Sequence, residues 1–395
     1  MSNISAKIAD AAVIASGWQY DLAEIEFHAL ASEDKTAKTI HQRVTICTKQ
    51  TAEKIAHCSS LVTETLHPVG HNNFSTQNKH VEQIVEWCQN NLQNEGKTIA
   101  VRAEKIGIKL AGWSSRGIEQ SVGGALYRAG WKIDLTSPQI TLRILALNHN
   151  DSRTTVESEN NPLIVWGLKS SGTSLWDGRT APKRPFFKPI SLDPRLARAM
   201  VNLACPNGGN ILDPFCGTGG ILLEAASIGL HAFGSDADSR MVWGSRENLE
   251  WLATQTDSSE TIGSAETRRG SAIVLSGLWG DTAPFSGFAF DPPYGRNSWK
   301  SDDGWQLFVD ALASCASVAT DDAGLTALLP WPPAASEVDL QNDATNPVCV
   351  TFGKQWVEVV EEIRGAGWEI ESTISIPVHR SLARLLLICK KSALN

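Results

Sequence analysis

The segment GNILDPFCGTGGILLEAASIG, residues 209–229, constrains the fold of this chain more than any other. It joins an apolar strand, a glycine-rich turn and an apolar helix, which is how a nucleotide-binding βαβ unit begins. The third glycine of the dinucleotide fingerprint would fall at Leu222, and no Gly-Lys-Ser/Thr follows, so the sequence disfavours both a dinucleotide site and a phosphate loop. From Ser191 onward apolar strands alternate with helices, which predicts a doubly wound parallel sheet.

Three features of this unit indicate which ligand it binds. Asp213 ends the first strand, and Gly217 and Gly219 let the backbone come close to a ligand that has no pyrophosphate. Asp236, which is 17 residues after Gly219, ends the second strand, where a carboxylate can bind two ribose hydroxyls. Each acidic residue alone is more typical of a helix cap or a turn. Together, in this order, they favour S-adenosylmethionine.

A second motif, DPPYG, follows what we expect to be the fourth strand of the sheet, at the carboxyl edge where open α/β sheets bind ligands. An amino group conjugated to a base is a poor nucleophile because its lone pair is delocalised. If Asp291 and the Pro292 carbonyl accept both N–H bonds, the nitrogen is held pyramidal with its lone pair available for in-line methyl transfer. Tyr294 offers a face on which the base can stack once it is extruded. Taken alone, the same residues would be a strand end with a surface tyrosine.

Charge is distributed unevenly along the chain. The net charge is −8, but residues 97–132 carry seven basic and two acidic residues, and residues 166–198 carry the same numbers. Such patches attract a polyanion even on an acidic protein, although each could also be an ordinary solvated face.

The composition also indicates the cellular compartment. The eight cysteines are spread singly, so we expect reduced thiols and no metal site. We found neither a targeting signal nor an 18-residue apolar run, and therefore expect a cytoplasmic protein without a membrane partner.

The sequence resembles the archaeal tRNA guanine N2-methyltransferases that act at position 10, and their eukaryotic relatives. Four blocks carry the resemblance, in the family's order: RPFFKPISLDPRLARAMVNLA from Arg184, LDPFCGTGGILLEA from Leu212, DPPYGR from Asp291 and VHRSLARLLLI from Val378. The segments VRAEKIG, IEQSVGGAL and KIDLTSPQITLRI, within residues 98–147, are similar to a THUMP RNA-binding domain. The resemblance covers about residues 80 to 390.

The resemblance implies an α/β fold. A Rossmann-like class I SAM-dependent methyltransferase domain would be preceded by an α+β ferredoxin-like/THUMP RNA-binding module. We expect four parts: an N-terminal ferredoxin-like domain over 1–75, a THUMP domain over 76–150, a linker over 151–184 and the methyltransferase domain over 185–395.

The family's roles transfer to matching positions of this chain. They assign Asp291, Pro292 and Tyr294 to the target amine and base. The residues implied for the cofactor are Asp213, Phe215, Gly217, Gly219, Asp236, Ser271 and Ser191, the last of which would border the methionine end together with Phe187. Ser271 departs from the family, where this position is often an acidic residue that contacts adenine.

The basic stretches supply the expected RNA contacts. We expect phosphate contacts on one continuous face from Arg102, Lys105, Lys109 and Arg116 in the THUMP segment and from Arg179, Lys183, Arg184 and Lys188 in the linker. Arg380, in the block from Val378, is a further candidate for RNA binding.

The function implied by the family is methyl transfer from S-adenosylmethionine to the exocyclic amine of guanosine 10 in tRNA, once or twice. The expected partner is tRNA; a small activator subunit, as in eukaryotic relatives, stays open, and the protein is otherwise expected to be a monomer. Methylation of another tRNA or rRNA guanine remains an alternative, since the motifs do not read position. Weaker alternatives are a DNA amino methyltransferase, which shares DPPY, and a catalytically silent RNA-binding protein.

Overall fold

The protein is described by a computed structural model. Its described residues are 6–107, 109–148, 162–170, 176–189, 191–255, 262–293, 302–331, 350–351, 353–379 and 382–392. The chain divides into two compact units. The N-terminal unit comprises Met1–Tyr20, Ala31–His57 and Val62–Thr173, and the C-terminal unit comprises Asp21–Leu30, Cys58–Leu61 and Ser174–Asn395. Within the described ranges, no helix is both long enough and apolar enough to cross a membrane.

The described part of the N-terminal unit is built on one nine-stranded sheet. Its strands are β1 (Lys7–Ala9), β2 (Ala11–Ala15), β3 (Lys38–His41), β4 (Val44–Cys47), β5 (Val62–Asn73), β6 (Thr98–Ile106), β7 (Lys132–Ile133), β8 (Ile140–Leu147) and β9 (Leu163–Lys169). The order is β3-β4-β2-β5-β9-β8-β6-β7, with β1 also paired to β5. Three helices accompany the sheet: α2 (Lys49–Cys58), α3 (Gln77–Asn91) and α4 (Ser115–Arg128). Strands on both sides of residue 75 share this sheet, and a domain boundary there stays a prediction.

The C-terminal unit contains the predicted doubly wound sheet. Its strands are β10 (Asn210–Asp213), β11 (His231–Asp236), β12 (Ala265–Arg269), β13 (Phe285–Phe290), β14 (Ala319–Trp331), β17 (Trp368–His379) and β18 (Leu382–Lys391). The order is β12-β11-β10-β13-β14-β18-β17. The first five strands run parallel, and β18 is antiparallel to both β14 and β17. This confirms the α/β class expected from the sequence.

Among the described residues, seven helices belong to this unit wholly or in large part. They are α1 (Tyr20–Leu30), α5 (Pro194–Ala204), α6 (Gly220–Ala226), α7 (Ser239–Gln255), α8 (Leu275–Trp279), α9 (Asp302–Ala316) and α10 (Trp356–Gly365). A two-stranded hairpin, β15 (Val350–Thr351) and β16 (Lys354–Gln355), precedes α10, and short 3-10 turns lie at Asp177–Arg179 and Ala181–Lys183.

Helix α5 packs closely on the middle of the sheet. Asp193 caps its N-terminus, because the Asp193 carboxylate accepts the backbone N–H of Arg195 at 2.8 Å, and Pro194 suits the first helical position. Its last turn lies over two strand glycines: a Cβ on Gly287 or Gly324 would be 2.6 or 2.5 Å from the carbonyl oxygen of Ala204. Only glycine permits this approach, which brings the helix onto β13 and β14.

The other side of β13 faces an aromatic core. Phe285, Phe288 and Phe290 are fully buried, and ring contacts at 5.3 to 6.2 Å join them to neighbours such as Trp368. The indole of Trp368 also donates to the carbonyl of Leu312 at 2.8 Å, so its polar atom is satisfied. This packing fixes the strand that ends at the DPP motif.

A buried polar network explains why α1 belongs to the C-terminal unit. Glu26 of α1 accepts hydrogen bonds from Ser59 and from Asn202 of α5, the latter at 2.6 Å. Asn202 and Arg198 both donate to the carbonyl of Cys58, at 3.1 and 3.0 Å. Burial raises the pKa of Glu26 to about 7, although its hydrogen bonds and Arg198 act in the opposite direction.

Candidate active site

Three strand ends bring three carboxylates to one edge of the C-terminal sheet. Asp213 is the last residue of β10, Asp236 is the last of β11, and Asp291 directly follows β13. Strand β10 lies between β11 and β13 and is parallel to both, so this edge is the topological switch point where open α/β sheets bind ligands. Burial raises the pKa of Asp213, and repulsion from Asp236 and Asp291 raises it further, as expected for carboxylates at the same sheet edge. In the described part of the chain they do not form a metal-binding cluster.

The glycine loop is held against the end of β11. The N–H of Cys216 donates to the carbonyl of Ser235 at 2.9 Å, and the N–H of Gly217 donates to Oδ2 of Asp236 at 3.1 Å. Gly217 and Gly219 have φ of +50° and +77°, and a Cβ on Gly219 would lie 2.9 Å from Cβ of Ser245. The loop therefore requires glycine there and presents backbone rather than side chains.

Asp213 lies beneath this loop. Its side chain is buried, and its Oδ1 accepts the backbone N–H of Phe215 at 2.9 Å. Burial raises the pKa of Asp213 well above its usual value, the bond from Phe215 opposes this, and repulsion from Asp236 and Asp291 adds to it. In the structure Asp213 shapes the loop, whereas the expected contact with a cofactor stays a prediction.

Asp236 is only partly buried. Its Oδ1 accepts the N–H of Asp238 at 2.8 Å, and its backbone carbonyl accepts the N–H of Gly270 at 3.1 Å. Burial raises its pKa, while the N–H bonds from Asp238 and Gly217 lower it. Because Gly270 directly follows β12, this bond places the next residue, Ser271, beside the paired ends of β11 and β12. Ser271 is also partly buried. Asp238 itself is ion-paired with Arg240 at 2.7 Å.

At the end of β13 Asp291 is paired with an arginine that sequence reasoning missed. Nη1 of Arg384, on β18, lies 2.5 Å from Oδ2 of Asp291, and the two side chains are 12% and 20% exposed. The sequence feature that could have indicated it is an arginine within the apolar strand Leu382–Lys391, in one of the blocks that carried the resemblance. Pro292 is buried and Pro293 is exposed.

Two of the predicted site residues, Tyr294 and Arg380, lie outside the described residues. The roles expected for them stay predictions.

The segment before α5 is tied to the glycine loop through Asn248 of α7. The Asn248 amide accepts the N–H of Phe186 at 2.9 Å and donates to the carbonyls of Phe186 and Thr218 at 2.6 and 2.8 Å. Phe187 is 49% exposed, and the Ser191 hydroxyl donates to the carbonyl of Lys188 at 2.7 Å. The segment therefore has a fixed position beside the loop.

Two of the four linker cations expected to contact phosphates have structural roles instead. Arg184 is 3% exposed, its Nε donates to the carbonyl of Arg179 at 2.7 Å, and a Cβ on Gly220 would be 3.2 Å from its Nη1. Arg179 donates to both carboxylate oxygens of the fully buried Glu224, at 2.7 and 3.0 Å. A surface role for Arg184 is wrong because its guanidinium is enclosed by protein, and Arg179 already neutralises a buried acid. Lys183, like Lys188, is exposed.

The predicted cations of the N-terminal unit lie along one connection. Lys105 is near the end of β6, Lys109 is in the loop, and Arg116 is in the first turn of α4; all three side chains are exposed. Arg102 is partly buried and donates to the carbonyl of Leu135 at 2.5 Å. A continuous face that joins these cations to the exposed lysines of the linker stays a prediction.

The sequence matches a known family over the central part of the C-terminal unit. Residues 182–331 match the family model described as RMKL-like, methyltransferase domain. That segment is a methyltransferase domain. It contains the glycine loop, Asp236 and Asp291, whereas Arg384 lies outside the matched range.

Similar proteins extend the comparison. A tRNA (guanine(10)-N2)-dimethyltransferase from Pyrococcus abyssi is 33% identical over 221 residues, which cover 56% of this chain and 60% of that protein. A protein of the same name from Methanothermobacter thermautotrophicus is 38% identical over 156 residues, covering 39% of this chain and 42% of the relative. The chain thus spans less than two thirds of these relatives. The crystal structure of TrmN from Thermus thermophilus aligns with 96% of this chain and 99% of its own, at 19% identity and a TM-score of 0.49.

The buried carboxylate of Asp213 predicts a pH-dependent stability in the methyltransferase domain. Because its folded-state pKa is raised, wild-type protein loses stability as pH rises from the unfolded pKa, roughly 4, through the folded value. Asp213→Asn keeps the acceptor for Phe215 but cannot ionise. We expect the thermal midpoint of the variant, measured by circular dichroism, to rise relative to that of wild type as pH increases from 5 to 8.

Asp281→Asn is the matched control, because ion pairing lowers the pKa of this exposed carboxyl. The stability that the Asp281 carboxylate contributes is fully present above the unfolded pKa. The thermal midpoint of Asp281→Asn should therefore differ from that of wild type by a constant amount over the same pH range. A constant difference for Asp213→Asn as well would contradict a raised pKa at Asp213.

Proposed function

We propose that this protein is an S-adenosylmethionine-dependent tRNA methyltransferase that acts on the exocyclic amine of guanosine 10, adding one methyl group and then a second. The observation that carries the proposal is the position of Asp291 and Pro292 at the same sheet edge as the glycine loop and Asp236. The names of the similar archaeal proteins support the choice of tRNA and of this guanosine.

The proposed cofactor site is the edge formed by β10, β11 and β12. Each carboxylate oxygen of Asp236 accepts one backbone N–H, and a carboxylate oxygen has a further lone pair that a ribose hydroxyl can use. Gly217 and Gly219 leave the loop backbone bare, which fits close approach by a bulky ligand. Ser271 is proposed to lie at the adenine end and Ser191 with Phe187 at the methionine end. The cofactor supplies an electrophilic methyl group on a sulfonium centre.

The proposed catalytic step depends on orienting a weak nucleophile. The lone pair of guanine N2 is delocalised into the base. For the first transfer, Asp291 and the carbonyl of Pro292 would accept its two N–H bonds, so the nitrogen becomes pyramidal and its lone pair is directed at the methyl group. As the nitrogen–methyl bond forms, the methyl–sulfur bond would break with its electron pair left on sulfur, and one N–H proton would pass to the Asp291 carboxylate. Tyr294 is proposed to stack on the extruded base. Orientation and electrostatics therefore supply the rate enhancement that the protein provides.

The proposed RNA contacts are divided between the units. Lys105, Lys109 and Arg116 of the N-terminal unit, regarded as part of a THUMP domain, contact phosphates of tRNA and position it without reading bases. Lys183 and Lys188 serve the same purpose beside the methyltransferase domain. A tRNA substrate, together with the finding that no disulfide joins the cysteines in the described part of the chain, fits a cytoplasmic protein.

The direct test is nucleoside mass spectrometry of tRNA after incubation with the protein and isotope-labelled S-adenosylmethionine. We expect label in N2-methylguanosine and N2,N2-dimethylguanosine at position 10. Asp291→Ala should reduce transfer about a hundredfold or more, because one oriented acceptor is lost, and should leave cofactor affinity nearly unchanged.

Asp321→Ala is the control, since this exposed aspartate lies near the amino end of β14, at the opposite edge of the sheet, and its loss should leave transfer unchanged. Label in a different nucleoside would overturn the choice of guanosine 10. Near-wild-type turnover by Asp291→Ala would remove Asp291 from the catalytic role.

A second prediction concerns RNA affinity. Lys105→Glu combined with Lys109→Glu should raise the apparent KM for whole tRNA and reduce the slope of log affinity against log salt by roughly one per lost phosphate contact. Cofactor affinity should be unaffected.

The matched control is Lys35→Glu combined with Lys38→Glu, because both lysines are exposed on the same unit and the net charge changes equally. Equal losses of tRNA affinity in the two double variants would show a general charge effect rather than contacts at Lys105 and Lys109.

A further inference from the structure

We propose that Arg384 is a positioning residue that holds the carboxylate of Asp291 ionised and oriented toward the target amine. This inference rests on the proposed function and deepens it. It concerns a residue outside the range of the matched family model.

The geometry is that of a close, largely buried ion pair. Nη1 of Arg384 lies 2.5 Å from Oδ2 of Asp291, with 12% and 20% of the side chains exposed. Arg384 stands opposite Pro330 of β14 and Ile376 of β17, so its strand position is fixed from both sides. Its strand neighbours Ala383 and Leu385 are buried, which makes the arginine the polar exception in this part of β18.

The pair bridges strands that are not neighbours. Strand β14 lies between β13 and β18, so the side chains of Asp291 and Arg384 together cover two strand spacings, roughly 9–10 Å. A long side chain reaching across β14 to one particular carboxylate oxygen restricts the rotation of that carboxylate. Preorganisation of this kind is what an acceptor of an amine N–H requires.

The charge environment gives Arg384 a second effect. Charged groups around Asp291 in the described residues include Arg384 on β18 and Asp213 on β10, with Asp236 of β11 next to Asp213. Partial burial and the nearby carboxylate of Asp213 disfavour a charged Asp291, whereas the adjacent guanidinium stabilises the ionised form. A protonated carboxyl would lose acceptor strength, so the arginine keeps Asp291 in the state that the proposed reaction needs.

Two substitutions separate charge from geometry. Arg384→Met keeps an apolar stem of similar length and removes the charge, and Arg384→Lys keeps a charge but replaces the planar guanidinium by a shorter point charge. If the positioning role is correct, Arg384→Met should lower kcat at pH 7 about a hundredfold, with the affinity for S-adenosylmethionine unchanged. Arg384→Lys should recover part of the lost kcat.

The pH profile distinguishes positioning from simple structural support. Removal of a neighbouring cation disfavours ionisation of a carboxylate, so the acid limb of kcat should move to higher pH in Arg384→Met. In Arg384→Lys the limb should stay close to that of wild type. A uniform loss of kcat at every pH, without movement of the limb, would overturn the proposal.

Stability provides a readout that does not depend on activity. Arg384→Met alone leaves a buried carboxylate without this partner and should lower the thermal midpoint, whereas Asp291→Asn combined with Arg384→Met should restore most of the loss. A double variant no more stable than Arg384→Met would contradict the ion pair.

Failure of the proposed function and failure of the role of Arg384 would give different results. Absence of methyl transfer by wild-type protein would contradict the proposed function. A functional wild-type enzyme whose Arg384→Met variant keeps both kcat and the acid limb would contradict only the role of Arg384.

Discussion

The site depends on how three carboxylates are accommodated at one edge of a parallel sheet. Asp213 and Asp291 are contributed by adjacent strands, and burial, with added repulsion from Asp236 and Asp291, raises the pKa of Asp213. Different interactions stabilise the three carboxylates: a hydrogen bond from the N–H of Phe215 for Asp213, two backbone N–H groups for Asp236, and the guanidinium of Arg384 for Asp291. The glycine loop and the antiparallel strand β18 therefore act as electrostatic supports of the same site.

Local patterns predicted the parts of the site that each strand end carries by itself. The strand, glycine loop and helix around residues 209–229 indicated the sheet edge, because tight turns with positive φ demand glycine. Asp236 and Asp291 were placed at strand ends by the apolar runs before them, and the structure has them there. Parallel connectivity then brings such ends together, which is why a linear sequence could predict a joint site.

Features that depend on distant partners could not be predicted in this way. Arg184 and Arg179 were predicted to belong to a basic patch, but Glu224, 45 residues after Arg179, pairs with both Arg179 and Arg198 in a buried ion cluster. Arg384 pairs with Asp291 across an intervening strand, a contact that no local motif describes. The attachment of α1 to the C-terminal unit likewise depends on Glu26 meeting Asn202, far along the chain. In each case a buried charge or acceptor found its partner through the tertiary fold.

The most direct measurement is calorimetric titration of S-adenosylmethionine into wild-type protein and into Asp236→Ala. A carboxylate that accepts two ribose hydroxyls contributes about 1.5–3 kcal/mol, so we expect saturable binding by wild type and a Kd roughly 10- to 150-fold higher in the variant. Equal affinity in the two proteins, or no binding by wild type, would contradict the assignment of this sheet edge as the cofactor site.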